Sequence, residues 1–168
     1  CSASSALGHS TTAPGPRGAG GAASSTGSDG SGAADRGSSG GSGFGLDVAL
    51  GLTTCYDMRF PELFRAMSAA GAEGFVIPSA FTVPTGRAHW EVLLRARAIE
   101  NLAWVIAPGQ TGTHPSGRKT YGDSLIVDHW GAVLARLPEG EGVVTATLDP
   151  DAQRKTREEF PALTHRRL

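Results

Sequence analysis

A sharp change of composition near Phe44 limits what this chain can fold into. Residues 1–43 are mostly Gly, Ser, Ala and Thr, and 13 of the 24 glycines fall within the first 45 positions. Such a stretch has too little apolar side chain to offset the conformational entropy lost on ordering. The expectation is a disordered linker or insertion over 1–43, followed by a folding unit of about 125 residues over 44–168. Leu7 is nearly alone there as a large aliphatic residue, which argues against an amphipathic targeting helix. The Ser- and Ala-rich composition with Arg17 and Arg36 keeps an organellar transit role as the alternative.

Charge removes several partner classes. The formal net charge is -1, with no long run of either sign, so nothing draws the chain to nucleic acid or to an anionic membrane surface. No stretch approaches the roughly 20 apolar residues that span a bilayer. A soluble, cytoplasmic protein is expected, with an organelle as the second choice. The two cysteines, Cys1 and Cys55, give neither a disulfide framework nor a metal-ligand spacing. His9, His89, His114, His129 and His165 form no helix-face pair, so no metal and no cofactor are expected.

From Leu46 the sequence acquires secondary-structure periods. Leu46 to Thr54 predicts a buried strand, and Cys55 stands at its exit before the turn residues Tyr56 and Asp57. Pro61 opens a helix whose apolar face is Leu63, Phe64, Ala66, Met67 and Ala70, and Gly71 stops it. Gly74 to Ser79 is a second strand. Pro84, Thr85 and Gly86 read as a turn, and a helix runs from Arg87 to Asn101. Ala103 to Ala107 is a third strand. Leu125 to Asp128 and Val133–Leu134 form a hairpin about the turn His129-Trp130-Gly131, and Val143 to Leu148 alternates as a further strand. Pro150 opens a closing helix. Helices covering a sheet in a layered α/β domain account for this order.

A lone thiol between a strand and a helix suits nucleophilic catalysis, although cysteine is also often a small buried hydrophobe. Its partners are the difficulty. Between Cys1 and Thr54 there is no Glu and no Lys; the first Glu is Glu62 and the first Lys is Lys119. The chain also begins with Cys1 rather than Met, and the expectation is a fragment or processed product whose upstream partners lie elsewhere.

Several motifs in order resemble the nitrilase superfamily, the carbon-nitrogen hydrolases. They are Cys55-Tyr-Asp-Met-Arg-Phe-Pro-Glu62, Pro78-Ser-Ala-Phe-Thr-Val-Pro-Thr-Gly86, Ala88-His-Trp-Glu-Val-Leu-Leu-Arg-Ala-Arg-Ala-Ile-Glu-Asn101, Tyr121-Gly122 and Val127-Asp-His-Trp-Gly131. The wording, with the closing His165-Arg-Arg167, is most similar to the branch that hydrolyses deaminated glutathione, and the ω-amidase branch comes next. Asp123 and His129 depart from that branch, which usually shows His and Pro there.

The resemblance implies a fold that is part of a four-layer α-β-β-α sandwich, pairing into homodimers or larger assemblies. It implies an amidase acting on a small carboxylate-bearing amide through a cysteine thioester, with a Glu base and a Lys upstream of the nucleophile. Carried onto this sequence, Cys55 is the nucleophile and the Tyr56 backbone N–H an oxyanion donor. Arg59, Phe81 and Thr85 are substrate-binding candidates. Plainer readings stand beside these: Arg59 pairing with Glu62, and Phe81 and Thr85 only shaping a loop. Glu91 and Glu100 are expected to form structural ion pairs with Arg95 and Arg97 rather than to replace the missing base. The alternative function is a non-catalytic remnant or dimerisation partner of the same fold. A papain-type cysteine protease is more distant, because no local motif supplies its histidine.

Overall fold

The computed structural model describes residues 48–167. The low-complexity reading of 1–43, the boundary at Phe44, and Leu46 and Asp47 of the first predicted strand therefore lie outside the described residues.

Within them, β1 (Leu50–Leu52), β2 (Gly74–Val76), β3 (Trp104–Ala107), β6 (Ser124–Val127) and β7 (Val133–Leu137) form one mixed sheet in the order β1-β2-β3-β6-β7. The first three are parallel, and β6 and β7 return antiparallel as the expected hairpin. Cross-strand register puts Gly51, Phe75, Val105 and Val127 in one row. That row faces the helices α1 (Pro61–Ala69) and α2 (Val83–Asn101), whose Phe64, Trp90, Leu94 and Ala98 complete the core. Burial of these large side chains is the main stabilising contribution. The next row, Leu52, Val76, Ile106 and Ile126, lies on the opposite face. Its exposure rises from 8% at Ile126 to 77% at Leu52. Beside the central strands, the segment Gly142 to Val144 lines an apolar groove with Ile106 and Ile126.

Three sequence expectations need correction. The helix predicted from Arg87 begins at Val83 and takes in Pro84, Thr85 and Gly86. Proline is well tolerated in a first helical turn because its missing N–H would have had no partner there. Gly86 is required by packing rather than by a turn: a Cβ on it would overlap the Tyr121 side chain. Second, Val143 to Leu148 alternates in burial, but it joins no ladder. An apolar alternation specifies a pleated face, and pairing still needs a neighbouring edge. Third, a polar hairpin, β4 (Thr111–Thr113) with β5 (Lys119–Tyr121), appears where no strand was expected. It has no apolar period, and its strands pair through backbone bonds in the open.

Helix ends follow the sequence more closely. Asp149 caps α3 (Pro150–Glu159) by accepting from the Ala152 N–H at 3.0 Å, a contact worth about 1 kcal/mol. α2 ends on Leu102 with φ +45, a left-handed cap usually given to glycine. Leu102 is 2% exposed, so burial offsets the strain. Gln153 of α3 reaches inward and donates to the carbonyls of Glu73 and Leu102 at 2.7 and 2.8 Å, tying the closing helix to the ends of β2 and α2. Among the described residues no helix is long and apolar enough to cross a membrane.

Candidate active site

The site is built on the exit of β1. Leu52 ends the strand, Thr53 still bonds to the Val76 carbonyl at 3.0 Å, and the chain then winds into a single 3-10 turn over Cys55–Arg59. Asp57 closes this turn from inside by accepting the Thr54 N–H at 2.8 Å. Cys55 takes φ +46, a left-handed conformation that costs a side-chain-bearing residue about 1–3 kcal/mol. Its own N–H is held by the Pro78 carbonyl at 2.9 Å, at the end of the neighbouring strand segment. The thiol is free and half-buried against the core. Among the described residues nothing accepts from the next N–H, that of Tyr56. A strained residue held this firmly, beside an unused donor, can present a nucleophile and an oxyanion contact together.

The far end of the turn is clamped by a charge. Arg97, 5% exposed on α2, donates through Nε to the Met58 carbonyl at 2.9 Å and through Nη1 to Glu100 at 2.8 Å. Its guanidinium also lies 5.3 Å from the centre of the Phe64 ring. Glu100 is thus a structural partner, as expected, and so is Glu91, which pairs with Arg95 and Arg136.

Arg59, the last residue of the turn, forms no pair with Glu62. Its guanidinium carbon sits 5.5 Å from the Tyr56 ring centre and 5.4 Å from that of Phe81, in reach of both π faces. Phe81 is 7% exposed and is braced by Trp90 with ring centres 5.1 Å apart. Thr85 stands in the first turn of α2 rather than on a loop, and its hydroxyl bonds to the Thr82 hydroxyl and carbonyl. The structure therefore gathers Tyr56, Arg59 and Phe81 into one contact group beside the Cys55 turn. Thr85 adjoins His89, one helical turn on. Sequence reasoning missed His89, whose Nδ1 is 3.3 Å from Arg59 Nη2. The signal was hidden by reading Thr85 as part of a turn: with α2 beginning at Val83, Thr85 and His89 have i,i+4 spacing and share a helix face.

Away from this group, Asp123 adopts φ +62 and is 3% exposed. Both of its carboxylate oxygens accept from Arg136, at 2.7 and 2.9 Å. That bond is the main reason the Arg136 guanidinium is held above its ordinary pKa. Trp90 Nε1 donates to the Asp123 carbonyl at 2.6 Å. Asp123 and Arg136 line a polar cleft of about 440 Å³ with Arg87, Lys119 and Tyr121, and Cys55 is not among its lining residues. Among the described residues no cluster of three or more His, Cys, Asp or Glu could hold a metal ion.

His129 gives a pH prediction. Its Nε2 lies 3.0 Å from the Thr156 hydroxyl and its ring meets Trp104 edge-on at 6.4 Å. Burial lowers its pKa, against a smaller opposing pull from Asp128. An unfolded histidine titrates near about 6.5. Below that pH the unfolded chain takes up a proton that the folded chain resists, so this group's stability contribution falls as pH falls and levels off below the folded pKa. The melting temperature is expected to drop between pH 7.5 and 5.5, and His129→Phe to flatten the drop. An equally steep drop in the variant would contradict this assignment.

Comparison with known proteins agrees with the geometry. The family described as carbon-nitrogen hydrolase matches residues 16–158. A deaminated glutathione amidase from Synechocystis is 50% identical over 117 residues, covering 70% of this chain and 43% of that protein. The human deaminated glutathione amidase is 52% identical over 118 residues, covering 70% and 36%. The crystal structure of the NitFhit protein of C. elegans superposes with a TM-score of 0.68 at 50% identity, covering 70% of this chain and 29% of that one. The chain thus spans less than half the length of these relatives.

Proposed function

Because the chain belongs to the carbon-nitrogen hydrolase family, we propose that Cys55 is the nucleophile of an amidase site for a small carboxylate-bearing amide, of which deaminated glutathione is the leading example. The thiolate sulfur attacks the amide carbon. The C–N bond breaks as the nitrogen takes a proton and leaves as an amine, or as ammonia where the amide is primary. Water then attacks the thioester, releasing a carboxylate and returning the thiol. The Tyr56 N–H stabilises the oxyanion formed in each step. Arg59 binds the substrate's carboxylate, for which a guanidinium fork is suited, while Phe81 and Thr85 border the pocket. The Glu base and the Lys cation have no counterpart upstream of Cys55 in this sequence.

One observation carries the reading: Cys55 is held at φ +46 with its neighbour's N–H unused. Strain of this kind persists only where the surroundings enforce it, and it clusters at reactive residues. A thiol kept free in this way suits a reducing compartment such as the cytoplasm.

In this reading residues 44–168 are the C-terminal portion of a four-layer α-β-β-α sandwich that pairs into a homo-oligomer. The exposure of Leu50 and Leu52, at 45% and 77%, supports it, since apolar side chains on a sheet face call for a further layer or another chain. The absence of Glu and Lys before Thr54 favours a second reading, a non-catalytic relative that keeps the fold for association.

An activated ester distinguishes the two. Mono-p-nitrophenyl succinate needs no proton for its leaving group, so it can acylate a preorganised thiol without the base. In the folded chain it is expected to succinylate Cys55 about tenfold or more faster than in the urea-unfolded chain, in line with one oxyanion donor. Equal rates would leave Cys55 an ordinary thiol and favour the non-catalytic reading.

A further inference from the structure

We propose that His89 is a positioning residue for the carboxylate site: its neutral Nδ1 fixes the Arg59 guanidinium within its plane. The inference rests on the reading of Arg59 given above and adds a residue to it. Arginine has no acceptor, so in the 3.3 Å contact Arg59 Nη2 donates and His89 Nδ1 accepts. The imidazole proton is therefore on Nε2.

The geometry gives this contact a role that the aromatic rings cannot fill. Tyr56 and Phe81 attract the guanidinium through their π faces, 5.5 and 5.4 Å away, and such contacts constrain rotation within the guanidinium plane only weakly. A hydrogen bond in the plane sets that rotation. It occupies one of arginine's five N–H groups, so a pair on another edge remains for a bidentate carboxylate. Among the described residues no carboxylate forms a salt bridge with Arg59. A half-buried cation held by two rings and an imidazole, with no counter-ion, is prepared for an anion that arrives.

The test needs no turnover. Alkylation of Cys55 by iodoacetamide is followed by peptide mass spectrometry in the full chain, and protection is titrated with succinamate and with butanamide, which lacks the carboxylate. In the wild-type chain succinamate is expected to protect at about tenfold lower concentration or less, the size of one charge-assisted hydrogen bond. His89→Phe keeps the ring and removes the acceptor; it should bring the two amides close together. His89→Asn, whose side-chain oxygen can stand where Nδ1 does, should restore much of the difference, which a merely structural histidine would not predict. If His89→Phe keeps the wild-type preference, His89 does not position Arg59, while Arg59 remains the carboxylate site. If the wild-type chain itself shows no preference, the reading of Arg59 fails and this inference fails with it.

Discussion

A polypeptide of these 168 residues is expected to release ammonia from succinamate at a rate several orders of magnitude below that of a complete family enzyme. Loss of a general base costs about 10²- to 10⁴-fold. Loss of one oxyanion donor costs about a further 10²- to 10³-fold, although such effects need not multiply. The acids and cations downstream of Cys55 do not replace what is missing. Glu91 and Glu100 are held in ion pairs with arginines, Lys155 is paired with Glu159, and Lys119 lies on the exposed hairpin strand β5. Among the described residues no side chain hydrogen-bonds to the Cys55 thiol. The measurement is ammonia release by the purified chain and by Cys55→Ala. Turnover near family rates that disappears in Cys55→Ala would mean that a base is supplied from within this sequence, and the account of the missing partners would be wrong.

Replacing Gly109 with alanine is expected to destabilise the fold by about 3 kcal/mol or more, lowering the melting temperature by roughly 10 °C or more. The reason is backbone against backbone. A Cβ at Gly109 would overlap the carbonyl group of Gly122, whose own N–H is bonded to the Gln110 carbonyl at 3.0 Å. On the other side, Gln110 donates to the Ser79 carbonyl at 2.8 Å and the Gly109 N–H donates to Ser124 Oγ at 2.9 Å. No side chain can rotate aside, so the strand ends that carry Ser79 and Asp123 must separate. Gly140 serves as the control: its surroundings are open, and alanine there should cost only about 1 kcal/mol for its φ of +84. Thermal unfolding of both variants decides the point. A Gly109→Ala protein that melts with the wild type would show that the two strands are not in this close contact.

Much of the architecture was legible because burial is periodic along the chain. The helix from Pro61, the parallel strand around Phe75 and the hairpin about Gly131 carry their apolar residues at the spacing of the element they form, while the closing helix was legible from Pro150 at its start. Misreadings arose where local chemistry has two uses. Pro84 and Gly86 serve a turn or a first helical turn equally well, and only the Tyr121 side chain against Gly86 decides between them. Val143 to Leu148 has the alternation of a strand, yet alternation does not supply a neighbouring edge. The polar hairpin of β4 and β5 gave no apolar signal to read.

The same division holds for the site. Sequence by itself determined the strand, cysteine and helix in succession, the absence of Glu and Lys upstream, and the pairing of Glu91 and Glu100 with nearby arginines, because all of these are local properties of the chain. Tertiary structure alone decided that Arg59 meets Phe81 and His89 rather than Glu62, that Arg97 clamps the turn through the Met58 carbonyl 39 residues away, and that Cys55 is strained at φ +46. Those contacts join segments separated along the chain. Which of them meet is set by sheet register and helix packing, and neither is encoded in the residues of one segment alone.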